Sequence, residues 1–138
     1  MVMYYQKEIV FEPRARGFHL ITHEIENQIS EMADVKTGIA NIFIKHTSAG
    51  ITINENADPS VKSDILMHCE ELVPQSSKFR HAEGNSPAHI KAGFMGSSVT
   101  VIISEGKLDL GTWQGIYFCE FDGPRTRKVW VKIIEGEC

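Results

Sequence analysis

The chain has 138 residues, of which 42% are hydrophobic and 23% charged, and its net charge is −4 with histidines counted as neutral. These values are typical of a folded globular domain and exclude a disordered or low-complexity chain. They also argue against nucleic acid as a partner, because no positive field extends along the sequence to neutralise a phosphate backbone.

The first half of the chain predicts strands around one helix. A period-two pattern over 4–11 predicts a strand that ends before Pro13. Thr22 has the side chain of an N-cap, and apolar residues at helical spacing extend the predicted helix to about Ala33. Period two returns over 39–46 and again over 50–54. We expect these two strands to form a hairpin with its turn at 47–50.

The second half predicts two helices and then a meander of strands. Asp58 and Pro59 suit the N-cap and first position of a helix that ends before Pro74. A polar loop over 75–85 follows, and loops of this length are often functional. Ser86-Pro87 then opens a short helix to about residue 92. Three segments rich in β-branched and aromatic residues predict strands over 97–104, 113–121 and 127–134.

This order of elements predicts one α+β domain over residues 1–138. The last three strands are hydrophobic on both faces, since Val99 and Val101 alternate with Ile102, and Ile116 with Tyr117. Both faces of that sheet should therefore be covered by a second sheet, by helices or by a partner subunit.

The cysteines and the N-terminal segment predict a cytoplasmic protein. Cys69, Cys119 and Cys138 are odd in number and widely spaced, a pattern that suggests neither a disulfide framework nor a zinc knuckle. The first residues lack the basic and apolar regions of a signal peptide, and no apolar run approaches the roughly 20 residues that span a bilayer. We expect no membrane partner.

Three histidines are candidates for one shared site. His46 shares a strand face with Ile42 and Ile44, and by itself it could be a hydrogen-bonded core residue. Together with His81 and His89, it could bind a divalent metal through neutral imidazoles and leave a coordination position open. The alternative is a histidine-lined phosphate site.

Carboxylates and glycine-rich segments add further candidates. Asp64 lies on the apolar side of its predicted helix, where a buried carboxylate would need a partner. Glu83 could orient a histidine, act as a base or bind metal, or it could be a solvated loop charge. The glycine-bearing segments 93–98 and 111–115 are either anion-binding loops or plain turns. The basic cluster 125–128 is either a solvated face or a local anion contact.

Several enzyme classes are excluded by missing motifs. The H-A-E at 81–83 lacks the downstream P-C-x-x-C of zinc deaminases. The pair His19 and His23 lacks the internal glutamate of the metalloprotease motif H-E-x-x-H. Neither glycine segment continues as G-K-[ST], so neither is a Walker A loop.

Four ordered motifs resemble the YjbQ-like family, whose members are also called secondary thiamine-phosphate synthases. The motifs are R-G-F-H-L-I-T at 16–22, H-T-S-A-G-I-T-I-N-E-N-A-D-P-S-V at 46–61, E-G-N-S-P-A-H-I-K-A at 83–92 and G-T-W-Q-G at 111–115. The resemblance extends from about Tyr4 to Ile134. It implies a β-sandwich-like α+β fold of mixed sheets, with two main helices and one short helix, assembled as a homotrimer.

The resemblance also implies a site near a subunit boundary. It implies a divalent metal, zinc or otherwise magnesium, bound by His46, His81 and His89. Asp64 and Glu83 would be the catalytic carboxylates. The residues that would bind phosphate are Gly96, Ser97, Ser98, Trp113, Gln114 and Arg125.

The activity implied by the resemblance is thiamine-phosphate synthesis, in which a pyrimidine pyrophosphate is joined to a thiazole phosphate and pyrophosphate is released. A metal and the backbone N–H groups of 93–98 would then stabilise the leaving group. Three alternatives stay open at this point. One is a trimeric protein that binds a phosphorylated metabolite without turnover, and another is a metal-dependent phosphohydrolase. The third is a structural trimer in which the histidines only cross-link the subunits.

Overall fold

The structure, a computed structural model, describes residues 4–136, so the predictions for Cys138 and for the two ends of a 1–138 domain lie outside the described residues. The elements in chain order are β1 (Tyr4–Phe11), β2 (Gly17–Leu20), α1 (Thr22–Gln28), a 3₁₀ turn (Ser30–Asp34), β3 (Thr37–Ile44), β4 (Ala49–Glu55), α2 (Pro59–Leu72), α3 (Ser86–Met95), β5 (Ser98–Ser104), β6 (Lys107–Leu108), β7 (Gln114–Glu120) and β8 (Arg127–Glu135).

The strands form two sheets, which confirms the α+β prediction. The larger sheet has the order β1-β8-β3-β5-β6, and the smaller has the order β2-β7-β4. Every strand pair in residues 4–136 is antiparallel. The chain passes between the sheets repeatedly, and β3 and β4 lie in different sheets.

The main core lies between the inner faces of the two sheets. Period-two alternation directs Ile9, Ile42 and Val131 of the larger sheet toward Ile51 and Phe118 of the smaller one, and all five are at most 1% exposed. α1 and the 3₁₀ turn contribute further apolar side chains to this cluster.

The outer face of the smaller sheet is covered by α2 and α3. Phe18, Tyr117 and Cys119 point to this side and pack against Ala88 and Ala92 of α3. This second cluster explains why β7 is hydrophobic on both faces. The outer face of the larger sheet has no helix over it in residues 4–136 and exposes a row of apolar side chains.

The structure corrects three local predictions. The hairpin predicted at 47–50 is wrong, because this segment carries the chain from the larger sheet to the smaller one. Thr22 is the first helical residue rather than the N-cap, and its hydroxyl accepts a hydrogen bond from the Ile116 N–H beside the end of the β2–β7 pairing. The first helix is shorter than predicted, because Ile29 has φ −119° and ψ 77° and interrupts it before the 3₁₀ turn.

Other boundaries follow from local chemistry. Asp58 is the N-cap of α2, as predicted, and its side chain accepts a hydrogen bond from the Ser60 N–H. α3 continues to Met95, beyond the predicted end near residue 92, and Gly96 follows it at φ 95°, a left-handed conformation suited to glycine. The short strands β2 and β6 were not predicted, because four and two residues are too few to show a period.

Candidate functional site

Two adjoining cavities lie where the β3–β4 connection meets α3 and the start of β8. Their volumes are about 360 and 300 Å³, and both are lined by His46, Thr47 and His89. The first cavity extends along the C-terminal half of α3 to Gly96 and Ser97. The second extends over the polar residues Lys45, Ser48, Glu83, Asn85, Arg125 and Arg127. The sharing of three residues makes them two lobes of one site.

His46 follows the end of β3 and is held against β8. Its Nε2 lies 2.8 Å from the backbone nitrogen of Lys128, which donates to it. An imidazole nitrogen that accepts a hydrogen bond carries no proton, so the proton of the neutral ring is on Nδ1. Burial lowers the pKa of His46 below its usual value, and the positive charge of Arg127 lowers it further. His46 is therefore held as a neutral ring.

His89 lies on α3 and faces the β3–β4 connection. Its Nδ1 lies 2.9 Å from the carbonyl oxygen of Thr47, and only an N–H can donate to that oxygen. His81 packs edge-on against the ring of His89, with ring centroids 5.3 Å apart, but it is exposed and does not line either lobe.

A buried ion pair supports the floor of the polar lobe. The guanidinium of Arg127 donates to both carboxylate oxygens of Glu120, from Nε at 2.8 Å and from Nη2 at 2.5 Å. Nη2 also lies 3.1 Å from the Ser48 hydroxyl. Glu120 is 0% and Arg127 3% exposed, so this pair ties the smaller sheet, the larger sheet and the β3–β4 connection together.

Asp122 organises the outer wall of the polar lobe. It accepts hydrogen bonds from Asn85 at 2.7 Å and from Arg125 at 2.9 Å, and Arg16 lies 3.6 Å away on its other side. Partial burial by itself would raise the pKa of Asp122. The hydrogen bond from Asn85 and the charge of Arg125 outweigh burial and lower the pKa below the usual aspartate value. Asp122 thus stays ionised and holds Arg125 at the cavity.

The three histidines do not fit one metal ion. Among residues 4–136 no group of three or more histidine, cysteine or acidic side chains has the arrangement of a metal site. His89 suits a ligand, since its Nδ1 donates to a carbonyl and leaves Nε2 free, as in many metal sites. His46 does not, because Lys128 occupies the Nε2 lone pair and Nδ1 carries the proton. The metal assignment stays a prediction.

The predicted phosphate-binding residues divide into two groups. Gly96, Ser97 and Arg125 line the cavities, whereas Ser98 begins β5 and lines neither lobe. Trp113 and Gln114 lie at the opposite end of β7 from Glu120, about 20 Å away by strand geometry. Within one copy of the chain they do not border the histidines.

The two predicted catalytic carboxylates also differ in position. Glu83 lines the polar lobe, where its Oε2 lies 3.3 Å from the Asn85 amide nitrogen and 3.8 Å from Arg125. Asp64 is exposed on α2 and lines neither lobe, so the burial expected for it is wrong. The helix turns Asp64 to solvent because Ile65 and Leu66 supply the side that packs on the smaller sheet.

Sequence reasoning missed the roles of Glu120, Asp122 and Asn85. A signal for one of them is visible in the alternation of β7, where Glu120 shares the core-facing side with Ile116 and Phe118. A carboxylate on an apolar strand face needs a buried cation as its partner. Arg127 is a candidate for that cation, because it shares the buried side of β8 with Val129. No pattern of this kind indicates Asp122 or Asn85, because both lie outside strands.

Comparisons with known proteins assign a family. The sequence model of the family described as UPF0047 protein YjbQ-like matches residues 7–136. A UPF0047 protein of Methanocaldococcus jannaschii is 60% identical over 114 residues, which are 83% of this chain and 82% of that protein. A Clostridium acetobutylicum crystal structure is 52% identical, with a TM-score of 0.85 over 92% of this chain and 98% of that one. A Sulfolobus solfataricus structure, of a protein of unknown function, is 34% identical, with a TM-score of 0.88 over 99% and 100%.

Proposed function

Because this chain belongs to the UPF0047 YjbQ-like family, we propose that it is a cytoplasmic small-molecule enzyme that binds a phosphorylated substrate in the two-lobed cavity. The reaction we propose is the thiamine-phosphate synthesis implied by the resemblance. It joins a pyrimidine pyrophosphate to a thiazole phosphate and releases pyrophosphate. Bacterial and archaeal relatives of similar length fit a metabolic role.

One observation carries the proposal, namely the two lobes of different character that meet at His46, Thr47 and His89. The lobe along α3 is bordered by Ala92, Gly93 and Gly96 and has room for a ring. The polar lobe is bordered by Lys45, Arg125 and Arg127. Such an arrangement suits a molecule with a heterocycle at one end and a phosphate or pyrophosphate at the other.

The cations of the polar lobe retain donors for a ligand. Lys45 has three N–H donors, and its one hydrogen-bond partner among residues 4–136 is Glu8, at 3.1 Å. Its ammonium also lies 5.2 Å from the centroid of the Trp130 ring. Arg125 uses Nε and Nη2 on Asp122, and its side chain is 51% exposed at the cavity. Arg127 uses Nε and Nη2 on Glu120 and Ser48 and is only 3% exposed, so we assign it mainly a supporting role. A departing pyrophosphate would be stabilised mainly by Lys45 and Arg125.

The predicted homotrimer is part of the proposal, and the outer face of the larger sheet is the surface we assign to self-association. This face has a row of apolar residues, one on each of the neighbouring strands β1, β8, β3 and β5, and each is 40–67% exposed. The row consists of Tyr4, Ile134, Ile39 and Ile102. A row of this kind favours a protein partner. An Ile102→Lys substitution should reduce the mass measured by light scattering to that of a monomer. An unchanged mass would remove this face from the proposed interface.

Pyrophosphate binding tests the polar lobe as the phosphate site. Calorimetry should detect pyrophosphate binding to the wild type, and Lys45→Ala and Arg125→Ala should each weaken it. Lys107→Ala is the matched control, because Lys107 is exposed on β6 and lines neither lobe. Equal binding by the wild type and all three variants would remove the polar lobe as the phosphate site.

Turnover separates the enzyme from a metabolite-binding protein. Purified protein should convert the two thiamine precursors and release pyrophosphate, and Arg125→Ala should lower this rate more than Lys107→Ala does. Tight pyrophosphate binding without turnover would support a non-catalytic binding protein. Release of inorganic phosphate from a single precursor would support a phosphohydrolase, and elemental analysis of the same preparation tests the predicted zinc or magnesium.

A further inference from the structure

We propose that His46 and His89 offer opposite hydrogen-bonding groups to one oxyanion, His46 as a donor through Nδ1 and His89 as an acceptor through Nε2. The site would then select an oxyanion that carries a proton, such as hydrogen phosphate, over one that does not. This inference rests on the proposed function, because it specifies the chemistry of the ligand in the same cavity.

The backbone of Lys128 fixes His46 as a donor at Nδ1. The Lys128 N–H is directed at its Nε2, so this nitrogen cannot take a proton without facing another N–H at 2.8 Å. Its Nδ1–H has no partner in the part of the chain that the structure describes. It is also not a buried unsatisfied atom, since the only such side-chain atom within 4–136 is Oδ1 of Asn85. The Nδ1–H is therefore accessible, and the ring that carries it lines both lobes of the cavity.

In His89 the backbone holds Nδ1, whereas in His46 it holds Nε2. The Thr47 carbonyl oxygen can only accept, so Nδ1 of His89 carries a proton. In the neutral ring Nε2 is then a bare lone pair. Both rings border both lobes of the cavity, so a ligand there meets one fixed donor and one fixed acceptor.

Charged groups of both signs surround the two rings. Lys45, Lys128 and Arg127 are near His46, and Glu120 opposes them from the floor of the lobe. Glu83 and Arg125 border the same lobe as His89. Charge attracts any oxyanion, so these residues do not distinguish phosphate from sulfate. The selection must come from the hydrogen-bond directions, because sulfate of equal charge has no proton to donate to His89.

A magnetic resonance measurement tests the ring states in the free protein. Nitrogen–proton correlation spectra of ¹⁵N-labelled wild type at pH 8 should show both rings in the Nδ1–H form. This pH is well above the ordinary histidine pKa of about 6.5. Assignment uses His46→Gln and His89→Asn, each of which removes one set of signals. A Nε2–H form at either ring would overturn the inference.

Calorimetry at the same pH tests the selectivity with inorganic phosphate and sulfate. We expect phosphate to bind tighter by on the order of tenfold, the value of one hydrogen bond to a charged group. His89→Asn keeps a donor for Thr47 but has no group at Nε2, so phosphate affinity should fall to that of sulfate. His46→Gln keeps an acceptor for Lys128 and an amide donor, so the preference should persist.

The outcomes separate the two proposals. Equal affinities for phosphate and sulfate in the wild type would overturn the inference and leave the proposed phosphate site intact. Failure to bind either anion would overturn the proposed site and the inference with it. A preference lost equally in both variants would also contradict the assigned division of roles.

Discussion

Removing the carboxylate of Glu120 should destabilise the protein more than any other single change at the site. Glu120→Leu would leave the Arg127 guanidinium buried at 3% exposure without its two carboxylate contacts. Ser48 would be its remaining partner. Breaking a buried ion pair in this way typically costs about 3–5 kcal/mol. For a chain of this length that corresponds to a fall in Tm of roughly 10–15 °C.

The matched control is the double variant Glu120→Leu/Arg127→Met. It removes both charges together, so the cost of an uncompensated guanidinium disappears, and such replacements are often close to neutral. The double variant does leave the Asp122 N–H and the Ser48 hydroxyl without a partner. We therefore expect its stability to lie within about 2 kcal/mol of the wild type, since each lost hydrogen bond is worth about 1 kcal/mol.

Urea denaturation followed by circular dichroism measures both free energies of unfolding. It should be repeated at several protein concentrations, because self-association would add to the apparent stability. A single variant within about 1 kcal/mol of the wild type would refute the assigned cost of the isolated charge. A double variant no more stable than the single variant would refute the pairing argument itself.

Three further predictions concern other parts of the fold. Gly50→Ala should destabilise by about 1–3 kcal/mol, because its Cβ would lie 2.9 Å from Met95 Cβ, whereas Gly93→Ala meets nothing within 4 Å and should not destabilise in a thermal melt. Cys119 should resist iodoacetamide until the chain unfolds, because burial raises its thiol pKa and excludes the reagent; rapid labelling, mapped by mass spectrometry, would contradict this. Burial lowers the His46 pKa in the folded state, so the unfolded state binds the proton first as pH falls. The free energy of unfolding should therefore be highest above the ordinary histidine pKa of about 6.5 and decrease below it. His46→Gln should make this dependence on pH weaker, as measured by urea titrations at pH 5 to 8.

The sequence predicts secondary structure best where the hydrophobic period is several residues long or where a capping residue marks a helix end. The strand over Tyr4–Phe11 and the Asp58 cap of α2 match the structure because alternation and capping are local properties. The sequence pattern predicts a hairpin at the β3–β4 connection, and the structure places the two strands in different sheets. Two neighbouring strands that bend into different sheets have the same local pattern as a hairpin, and only the pairing partners distinguish them.

The candidate site was partly predictable for the same reason. His46, His89, Glu83, Gly96, Ser97 and Arg125 were chosen by residue type and motif, and all border the cavity. The role of His46 was not predictable, because it depends on the N–H of Lys128, which lies far away in the chain. The predicted burial of Asp64 is wrong because α2 is only half-buried, and the side chains that it packs on the smaller sheet are Ile65 and Leu66.

The position of β8 between β1 and β3 has a consequence for the order of folding. Residues 127–135 pair with residues 4–11 on one side and with residues 38–44 on the other. The larger sheet therefore cannot close while the ribosome still holds this segment, and Glu120 has no counter-charge until Arg127 emerges. Contacts this distant in sequence slow folding. Until residues 127–135 have emerged, the nascent chain would expose β1 and β3 without their shared partner strand β8, so chaperones should bind mainly to the apolar faces of these two strands.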